Sequence, residues 1–198
     1  MKQQWNDESG DWRGWENDDQ RPRYEAITAQ IKRLRAKSVL DIGCGEAVLF
    51  SLMPAEVRQY LGIEPSQLAL KGAQSRQASV VRQTAEGYVP DSAWDCIIFN
   101  EVLYYTADPI GLLRKYARAL TPDGFIIVSI YQRPGSPSLS KRVRHWMDRR
   151  RPMSNVHCTQ MLQRFISTEG WKTHHAGQVR SSENDFCWSV FTVTPGFR

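Results

Sequence analysis

The sequence predicts a doubly wound α/β fold, in which helices cover both faces of a mainly parallel sheet. Segment 38–50 indicates a buried strand ending in Asp41, a tight loop with Gly43 and Gly45, and then apolar residues at helical spacing. Further apolar runs alternate with segments of helical periodicity, which is typical of consecutive βαβ units. We therefore expect a ligand crevice where the parallel strands end.

Length and composition are those of one globular domain. The chain has 198 residues, of which 41% are hydrophobic and 24% charged. No run is long and apolar enough for a membrane span, and the N-terminus is polar, so no signal peptide is expected. The four cysteines lack Cys-x-x-Cys or Cys/His ligand spacing. These features predict a cytoplasmic protein without a structural metal.

Charge is distributed unevenly along the chain, although the net charge is only +5. Residues 1–20 hold six acids, two bases and three tryptophans, and we interpret residues 1–21 as a flexible arm. An alternative is that these tryptophans fold over a filled pocket. Residues 22–198 are the predicted folded domain, with an insertion at 132–155. Residues 132–152 hold seven bases and one acid.

The residues around the glycine loop discriminate between ligand classes. A dinucleotide site requires Gly-x-Gly-x-x-Gly and offers a helix N-terminus to a pyrophosphate. Here Val48 stands in the place of the third glycine, and Asp41 precedes the first. A carboxylate at this point disfavours phosphate and favours an ammonium or sulfonium group. The sequence therefore argues against a dinucleotide.

A second acidic residue ends the next predicted strand, 59–64. Glu64 comes 23 residues after Asp41, close to the offset at which a βαβ site places its ribose-binding carboxylate. An ionised carboxylate accepts hydrogen bonds without donating any, so it suits two ribose hydroxyls. The pair predicts one site for a cationic, ribose-containing ligand.

The remaining elements follow from periodicity and turn residues. We predict helices over 22–35, from 66, over 109–120 and from 158, and strands over 78–81, 94–99, 125–130, 171–179 and 186–193. The last two strands should form an antiparallel hairpin at the sheet edge. His174 and His175 lie on that predicted edge strand, where a surface role is expected.

The glycine loop resembles motif I of class I S-adenosylmethionine (SAM) dependent methyltransferases. Asp41, Gly43 and Gly45 match Asp/Glu-x-Gly-x-Gly-x-Gly, and Ala47 replaces the last glycine. The similarity covers about residues 22–132 and includes the run 94–105 and the turn at 121–125 before the fifth strand. Residues 100–105 resemble the nodulation methyltransferase-like and broader small-molecule groups (methyltransferase types 11 and 12). The resemblance implies a Rossmann-like, seven-stranded sheet with an antiparallel last strand.

The resemblance also implies the cofactor, SAM, with S-adenosylhomocysteine (SAH) as its product. Thr84 stands where relatives carry an acid that contacts adenine, and its hydroxyl or Glu86 could substitute. By analogy with the family, the predicted cofactor contacts are Asp41, Gly43, Cys44, Gly45, Glu64, Pro65, Thr84, Ala85, Glu86 and the backbone carbonyl of Asn100.

The resemblance further implies acceptor-site residues, in the segment after the fourth strand and in the insertion. Glu101, Tyr105 and His145 are the candidate catalytic residues, and the candidate substrate contacts are Tyr24, Tyr104, Arg144 and Trp146. In many members of the family a side chain of the helix before motif I contacts the cofactor's carboxylate, and Tyr24 or Arg23 could make that contact here. Insertions after the fifth strand of this fold cover the substrate pocket, so the basic segment favours an anionic acceptor. A solvated helix face is the other interpretation of the same charges.

The resemblance therefore predicts methyl transfer to an oxygen or nitrogen of a small or medium-sized, anionic molecule. One alternative is an RNA methyltransferase that uses the basic 141–151 patch. Another is a regulatory protein that binds SAM without turnover. The Asn/Asp-Pro-Pro-Tyr/Phe motif of nucleic-acid amino methylation is absent from the sequence. We expect no membrane partner and a monomer or homodimer.

Overall fold

A computed structural model describes residues 19–132, 153–181 and 186–196. Within these ranges the strands are β1 (Ser38–Ile42), β2 (Gln59–Ile63), β3 (Val80–Val81), β4 (Trp94–Asn100), β5 (Leu120–Gln132), β6 (Lys172–Arg180) and β7 (Cys187–Thr194). The α-helices are α1 (Arg21–Arg33), α2 (Gln67–Ser75), α3 (Pro109–Ala117) and α4 (Asn155–Thr168). No helix of the described residues is long and apolar enough to cross a membrane.

The strands of the described chain form one seven-stranded sheet in the order β3-β2-β1-β4-β5-β7-β6. Strands β1 to β5 run parallel to one another, whereas β7 runs antiparallel to both β5 and β6. The predicted fold class and the antiparallel hairpin are confirmed. The chain order reverses on either side of β1, which lies between β2 and β4, and open α/β sheets bind ligands at such a reversal.

Two apolar layers pack on the two faces of the sheet. Alternate residues of β4 divide between them, with Ile97 and Phe99 on one face and Cys96 and Ile98 on the other. Helices α3 and α4 cover the first face, and α1 contributes to the second. Burial on both faces explains the continuous apolar runs of the central strands.

The prediction of a helix after the glycine loop is wrong. Only a short 3₁₀ helix, Leu49–Leu52, stands between β1 and β2. Met53 has a ψ of 139° and therefore lies outside the helical region. Because Pro54 follows, the residue before it is forced out of the α-conformation, and the chain cannot continue as a helix.

Helices α1, α2 and α3 begin within one residue of their predicted starts, whereas α4 begins at Asn155, three residues before the predicted start at 158. Pro22 occupies the first turn of α1. Ser66, Asp108 and Ser154 cap α2, α3 and α4, each accepting a hydrogen bond from a backbone N–H in the first turn. The flexible-arm prediction concerns residues 1–21, of which 1–18 lie outside the described residues.

Candidate functional site

Three acidic side chains lie at the carboxyl ends of β1, β2 and β4. Asp41, Glu64 and Glu101 are all buried, at 1%, 5% and 7% exposure. Asp41 lies in β1 directly before the glycine loop, and Glu64 is joined to that loop by a hydrogen bond from the backbone N–H of Gly45. The structure thus brings together the two acids that the sequence pairs, and it adds the third from the adjacent strand.

The glycine loop is tied to the end of β2. The backbone N–H groups of Gly43 and Cys44 both donate to the carbonyl of Ile63, at 2.7 and 3.2 Å. Gly43 has φ +68°, and a Cβ there would lie 2.5 Å from a methyl carbon of Val102. Glycine is therefore required by backbone conformation and by close packing. The side chain of Cys44 lies against Gly62, and its contact with a cofactor stays a prediction.

Ala47 has the conformation that a glycine favours. Its φ is +55°, in the left-handed region, and its side chain is fully buried. A non-glycine residue there costs roughly 1–2 kcal/mol. The structure thus shows why relatives carry the motif's last glycine at this position, and shows that alanine still permits the same turn.

The Glu64 carboxylate is oriented by two backbone donors. Its two oxygens accept from the N–H groups of Gly45, at 3.0 Å, and Ser66, at 2.8 Å. Burial raises the pKa of Glu64, and these two hydrogen bonds act in the opposite direction. Each carboxylate oxygen has a further lone pair for a ligand hydroxyl. Glu64 therefore fits the predicted ribose contact.

Asp41 has one engaged and one vacant oxygen. The hydroxyl of Tyr60 donates to Oδ2 at 3.0 Å, whereas Oδ1 finds no hydrogen-bond partner among the described residues. Burial, with a smaller contribution from the charge of Glu64, raises the pKa of Asp41 to about 7; the Tyr60 hydrogen bond and the charge of Arg23 act to lower it. A buried acceptor without a donor is costly, and a cationic ligand would relieve that cost.

These features fit SAM and do not fit a dinucleotide. Asp41 offers a vacant acceptor to an ammonium group, Glu64 offers oxygens to a ribose, and the loop at Gly43 leaves no room for a side chain. A pyrophosphate would face buried carboxylates instead of a helix N-terminus, because the loop leads only into a 3₁₀ turn. The predicted choice between ligand classes is supported by the geometry.

The predicted adenine loop is anchored from α3. The Ala85 carbonyl accepts hydrogen bonds from the Tyr116 hydroxyl, at 3.0 Å, and the Lys115 ammonium, at 3.4 Å. The Thr84 hydroxyl accepts from the Gly87 N–H at 3.1 Å, so it stabilises the turn. The side chain of Glu86 is exposed. Adenine contacts by Thr84, Ala85 and Glu86 remain predictions, as does the one by Pro65.

The segment after β4 holds a buried polar cluster, which we define as Arg23, Glu101, Tyr104 and Ser129. The Glu101 carboxylate accepts hydrogen bonds from the Tyr104 hydroxyl, at 2.6 Å, and the Ser129 hydroxyl, at 3.5 Å. It also pairs with Arg23 at 3.8 Å, and Arg23 is 1% exposed. Asn100, whose backbone carbonyl is the predicted cofactor contact, accepts from Ser129 through its side chain, at 2.7 Å.

This cluster changes the interpretation of Glu101. Its backbone has φ +66°, a strained conformation for a non-glycine residue. The carboxylate is engaged by Arg23 and Tyr104 and serves here as the anion of a buried ion pair. The predicted role of Glu101 in proton transfer is still untested, and the contacts favour a structural one.

The predicted aromatic contacts separate into buried and accessible residues. Tyr104 is fully buried, and its hydroxyl donates to the Glu101 carboxylate. Tyr24 is 5% exposed, and the Arg23 guanidinium lies 4.7 Å from its ring centre, so its position favours a packing role. Tyr105 is half-buried and packs its ring against Tyr104. Of the three, Tyr105 keeps an exposed part that could meet an acceptor.

Three other predicted site residues fall in the basic insertion. Arg144, His145 and Trp146 lie outside the described residues. In the ranges 19–132, 153–181 and 186–196, no group of three or more His, Cys, Asp or Glu is placed to hold a metal ion. His174 and His175 lie on β6, which is the edge strand of the sheet as predicted.

Sequence reasoning missed Tyr60, Val102 and Ser129. Ser129 carries a signal, because it is the one polar residue within the apolar run 125–130. Tyr60 and Val102 carry none, since a strand tyrosine and a valine after a strand are ordinary core residues. Their importance arises from contacts between separate elements of the sheet.

A family model described as a methyltransferase domain matches residues 16–173. A ubiquinone biosynthesis O-methyltransferase from Actinobacillus pleuropneumoniae serotype 5b (strain L20) is 30% identical over 123 residues, covering 56% of this chain and 53% of that protein. The chain spans about half the length of the curated relatives it matches.

Two solved structures share the fold. The plantazolicin methyltransferase BpumL, solved with SAH and a triazolic desmethylPZN analog, has a TM-score of 0.72 at 13% identity, covering 92% of this chain and 87% of that one. The N-methyltransferase NodS from Bradyrhizobium japonicum WM9, solved with SAH, has a TM-score of 0.63 at 19% identity, covering 93% of each chain. At these identities the likeness is one of fold.

Proposed function

The chain belongs to the methyltransferase domain family, and from this premise we propose that it transfers a methyl group from SAM to an oxygen or nitrogen of a small or medium-sized, anionic acceptor. Family membership confirms the sequence-based identification of a methyltransferase. One observation carries the cofactor assignment: the buried carboxylates of Asp41 and Glu64 lie at the ends of the adjacent strands β1 and β2, next to the glycine loop.

The described residues have separate tasks in this proposal. When bound, the cofactor supplies a methyl group activated by its sulfonium charge. Asp41 accepts from the ammonium group through its vacant oxygen, and Glu64 accepts from the ribose hydroxyls. The loop 84–86 contacts adenine, and Lys115 and Tyr116 hold its backbone in place.

The chain's contribution to catalysis is alignment and exclusion of water. The buried polar cluster around Glu101 fixes the residues after β4. The half-buried Tyr105 packs its ring against Tyr104 of this cluster and is oriented by that contact. A dry, preorganised site favours a reaction in which positive charge disperses. A general base is needed only for an acceptor that is protonated at neutral pH, and Tyr105 or His145 would then take the proton.

The charge of the insertion supports an anionic acceptor. Residues 132–152 carry seven bases against one acid in the sequence. Arginine pairs well with carboxylate or phosphate groups, so this segment would select a small organic acid. RNA is the second candidate acceptor, because the same bases would also bind a phosphate backbone.

Methyl transfer from labelled SAM to matched acceptor pairs tests the proposal. We expect carboxylic acids to be methylated faster than their neutral amides, and we expect Arg144→Ala to reduce that preference. The exposed Arg118, at the end of α3, gives the control variant Arg118→Ala, which changes charge equally and should keep the preference. RNA turnover with a steep salt dependence would contradict the proposed acceptor class. SAH binding without any turnover would contradict catalysis and favour a regulatory protein.

A further inference from the structure

Tyr60 connects the second strand to the acid of the glycine loop. Its side chain is buried at 8% exposure, and its hydroxyl donates to Oδ2 of Asp41 at 3.0 Å. Its ring packs against Phe50 of the 3₁₀ helix, with the ring centres 4.8 Å apart. The tyrosine is therefore held by packing on one side and by the Asp41 carboxylate at its hydroxyl.

This contact decides which Asp41 oxygen remains available. Oδ2 is engaged by Tyr60, whereas buried Oδ1 has no partner among the described residues. A carboxylate that could rotate would present either oxygen, with a cost in entropy when a ligand fixes one orientation. A single donor on Oδ2 removes that freedom before the ligand arrives.

We propose that Tyr60 is a positioning residue for the cofactor, which fixes the Asp41 carboxylate so that Oδ1 receives the ligand's ammonium group. This inference rests on the proposed function and assigns to it a residue outside the predicted cofactor contacts. Tyr60 acts through Asp41 and also favours its charged form, because a hydroxyl donor stabilises a carboxylate more than a carboxylic acid.

The charged and titratable groups around Asp41 define how this effect depends on pH. Glu64 disfavours the Asp41 charge and Arg23 of α1 favours it. Burial raises the pKa of Tyr60, Cys44 and Cys96 well above their ordinary values, and that of Tyr24 to a lesser degree. These four groups stay neutral between pH 6 and 9, the range that includes the Asp41 pKa of about 7, and burial also raises the pKa of Glu64.

The test is the dissociation constant of SAH, measured calorimetrically from pH 6 to 9 for the unchanged chain and for Tyr60→Phe. We expect the unchanged chain to gain up to about tenfold in affinity per pH unit below pH 7 and to level off above it. In Tyr60→Phe the ring packing is kept and the donor lost. We expect its midpoint to rise by about one pH unit or more, and part of the loss in affinity to persist at pH 9, because the ionised carboxylate is no longer held in one orientation.

Two further variants separate positioning from packing. Tyr116→Phe removes a hydrogen bond from a tyrosine hydroxyl to the Ala85 carbonyl, which has the same length, 3.0 Å, as the one from Tyr60 to Asp41. It should leave the pH midpoint of SAH binding unchanged. Asp41→Asn should abolish the pH dependence, and adding Tyr60→Phe to it should change affinity less than about twofold.

Each outcome has a distinct meaning. Binding by Tyr60→Phe that equals the unchanged chain at every pH would overturn the inference. So would a loss of affinity that stays the same when Tyr60→Phe is added to Asp41→Asn, because such a loss does not act through the Asp41 carboxylate. Absence of SAH binding by the unchanged chain would overturn the proposed function and this inference with it. If the unchanged chain binds SAH, the results for Tyr60→Phe test the inference alone.

Discussion

Asp41→Asn should stabilise the ligand-free protein at neutral pH while weakening its hold on the cofactor. The buried Asp41 carboxyl has a pKa of about 7 against an ordinary value of 3.8. The folded state therefore keeps a proton that the unfolded chain releases, and stability falls as the pH rises from about 4 to 7. A difference of roughly 3 pH units between the folded and unfolded pKa values corresponds to about 4 kcal/mol of unfolding free energy lost above pH 7. Asparagine does not ionise, so the variant would not lose this stability.

Urea unfolding of the two proteins at pH 8 and pH 5 measures this effect. We expect Asp41→Asn to be more stable by about 2–4 kcal/mol at pH 8, and the difference to be smaller at pH 5. Asparagine keeps an oxygen that can accept from Tyr60, so little bonding is lost. A variant less stable than the unchanged chain at pH 8, or a difference independent of pH, would refute the reasoning.

Asp95 provides the matched control for this substitution. Its carboxylate accepts hydrogen bonds from the backbone N–H groups of Lys37 and Ser38 and from the Thr121 hydroxyl, at 2.9, 3.2 and 3.0 Å. Asp95→Asn should therefore destabilise the protein by about 1 kcal/mol, the opposite sign to Asp41→Asn. The comparison distinguishes a carboxylate whose two oxygens both accept hydrogen bonds within the chain from one that has an oxygen without a donor among the described residues.

Three further substitutions test the local geometry of the site. Ala47→Gly relieves the left-handed backbone strain, so it should cost less unfolding free energy than Ala69→Gly inside α2, and an equal or larger loss would contradict that strain. Gly43→Ala introduces a Cβ 2.5 Å from a valine methyl group at φ +68°, so it should lower the melting temperature and weaken SAH binding; an unchanged melting curve would count against the close contact. Glu101→Gln removes the anion that pairs with a buried arginine and should cost roughly 2–4 kcal/mol by urea unfolding, whereas Glu25→Gln, in an exposed pair, should cost less than about 0.5 kcal/mol.

The parts of the fold that follow from local pattern were predictable. Apolar runs bounded by turns identified the strands, and the glycine loop with Asp41 identified the reversal point of the sheet. Asp41 and Glu64 could be paired because parallel strands end at the same edge, so spacing along the chain translates into proximity. The prediction of a helix after the loop was wrong because it relied on apolar spacing alone. Pro54 keeps the residue before it out of the helical conformation.

The interior of the site could not be derived in the same way. The family resemblance implies that Glu101 faces the acceptor, and it gives no sign that Arg23 from α1 and Ser129 from β5 engage its carboxylate. The contact from Tyr60 to Asp41 likewise crosses between neighbouring strands. Such contacts depend on side-chain reach and orientation in the folded chain, which periodicity along the sequence does not encode.

The most direct test of the central claim is a calorimetric titration of the chain with SAH, beside Glu64→Ala and Glu25→Ala. Glu64 lies in the glycine-loop site, whereas Glu25 is an exposed acid on α1. The account predicts micromolar binding of one SAH per chain, at least about tenfold weaker binding in Glu64→Ala and unchanged binding in Glu25→Ala. No binding by the unchanged chain, or equal binding by Glu64→Ala, would contradict the assignment of this edge of the sheet as the cofactor site.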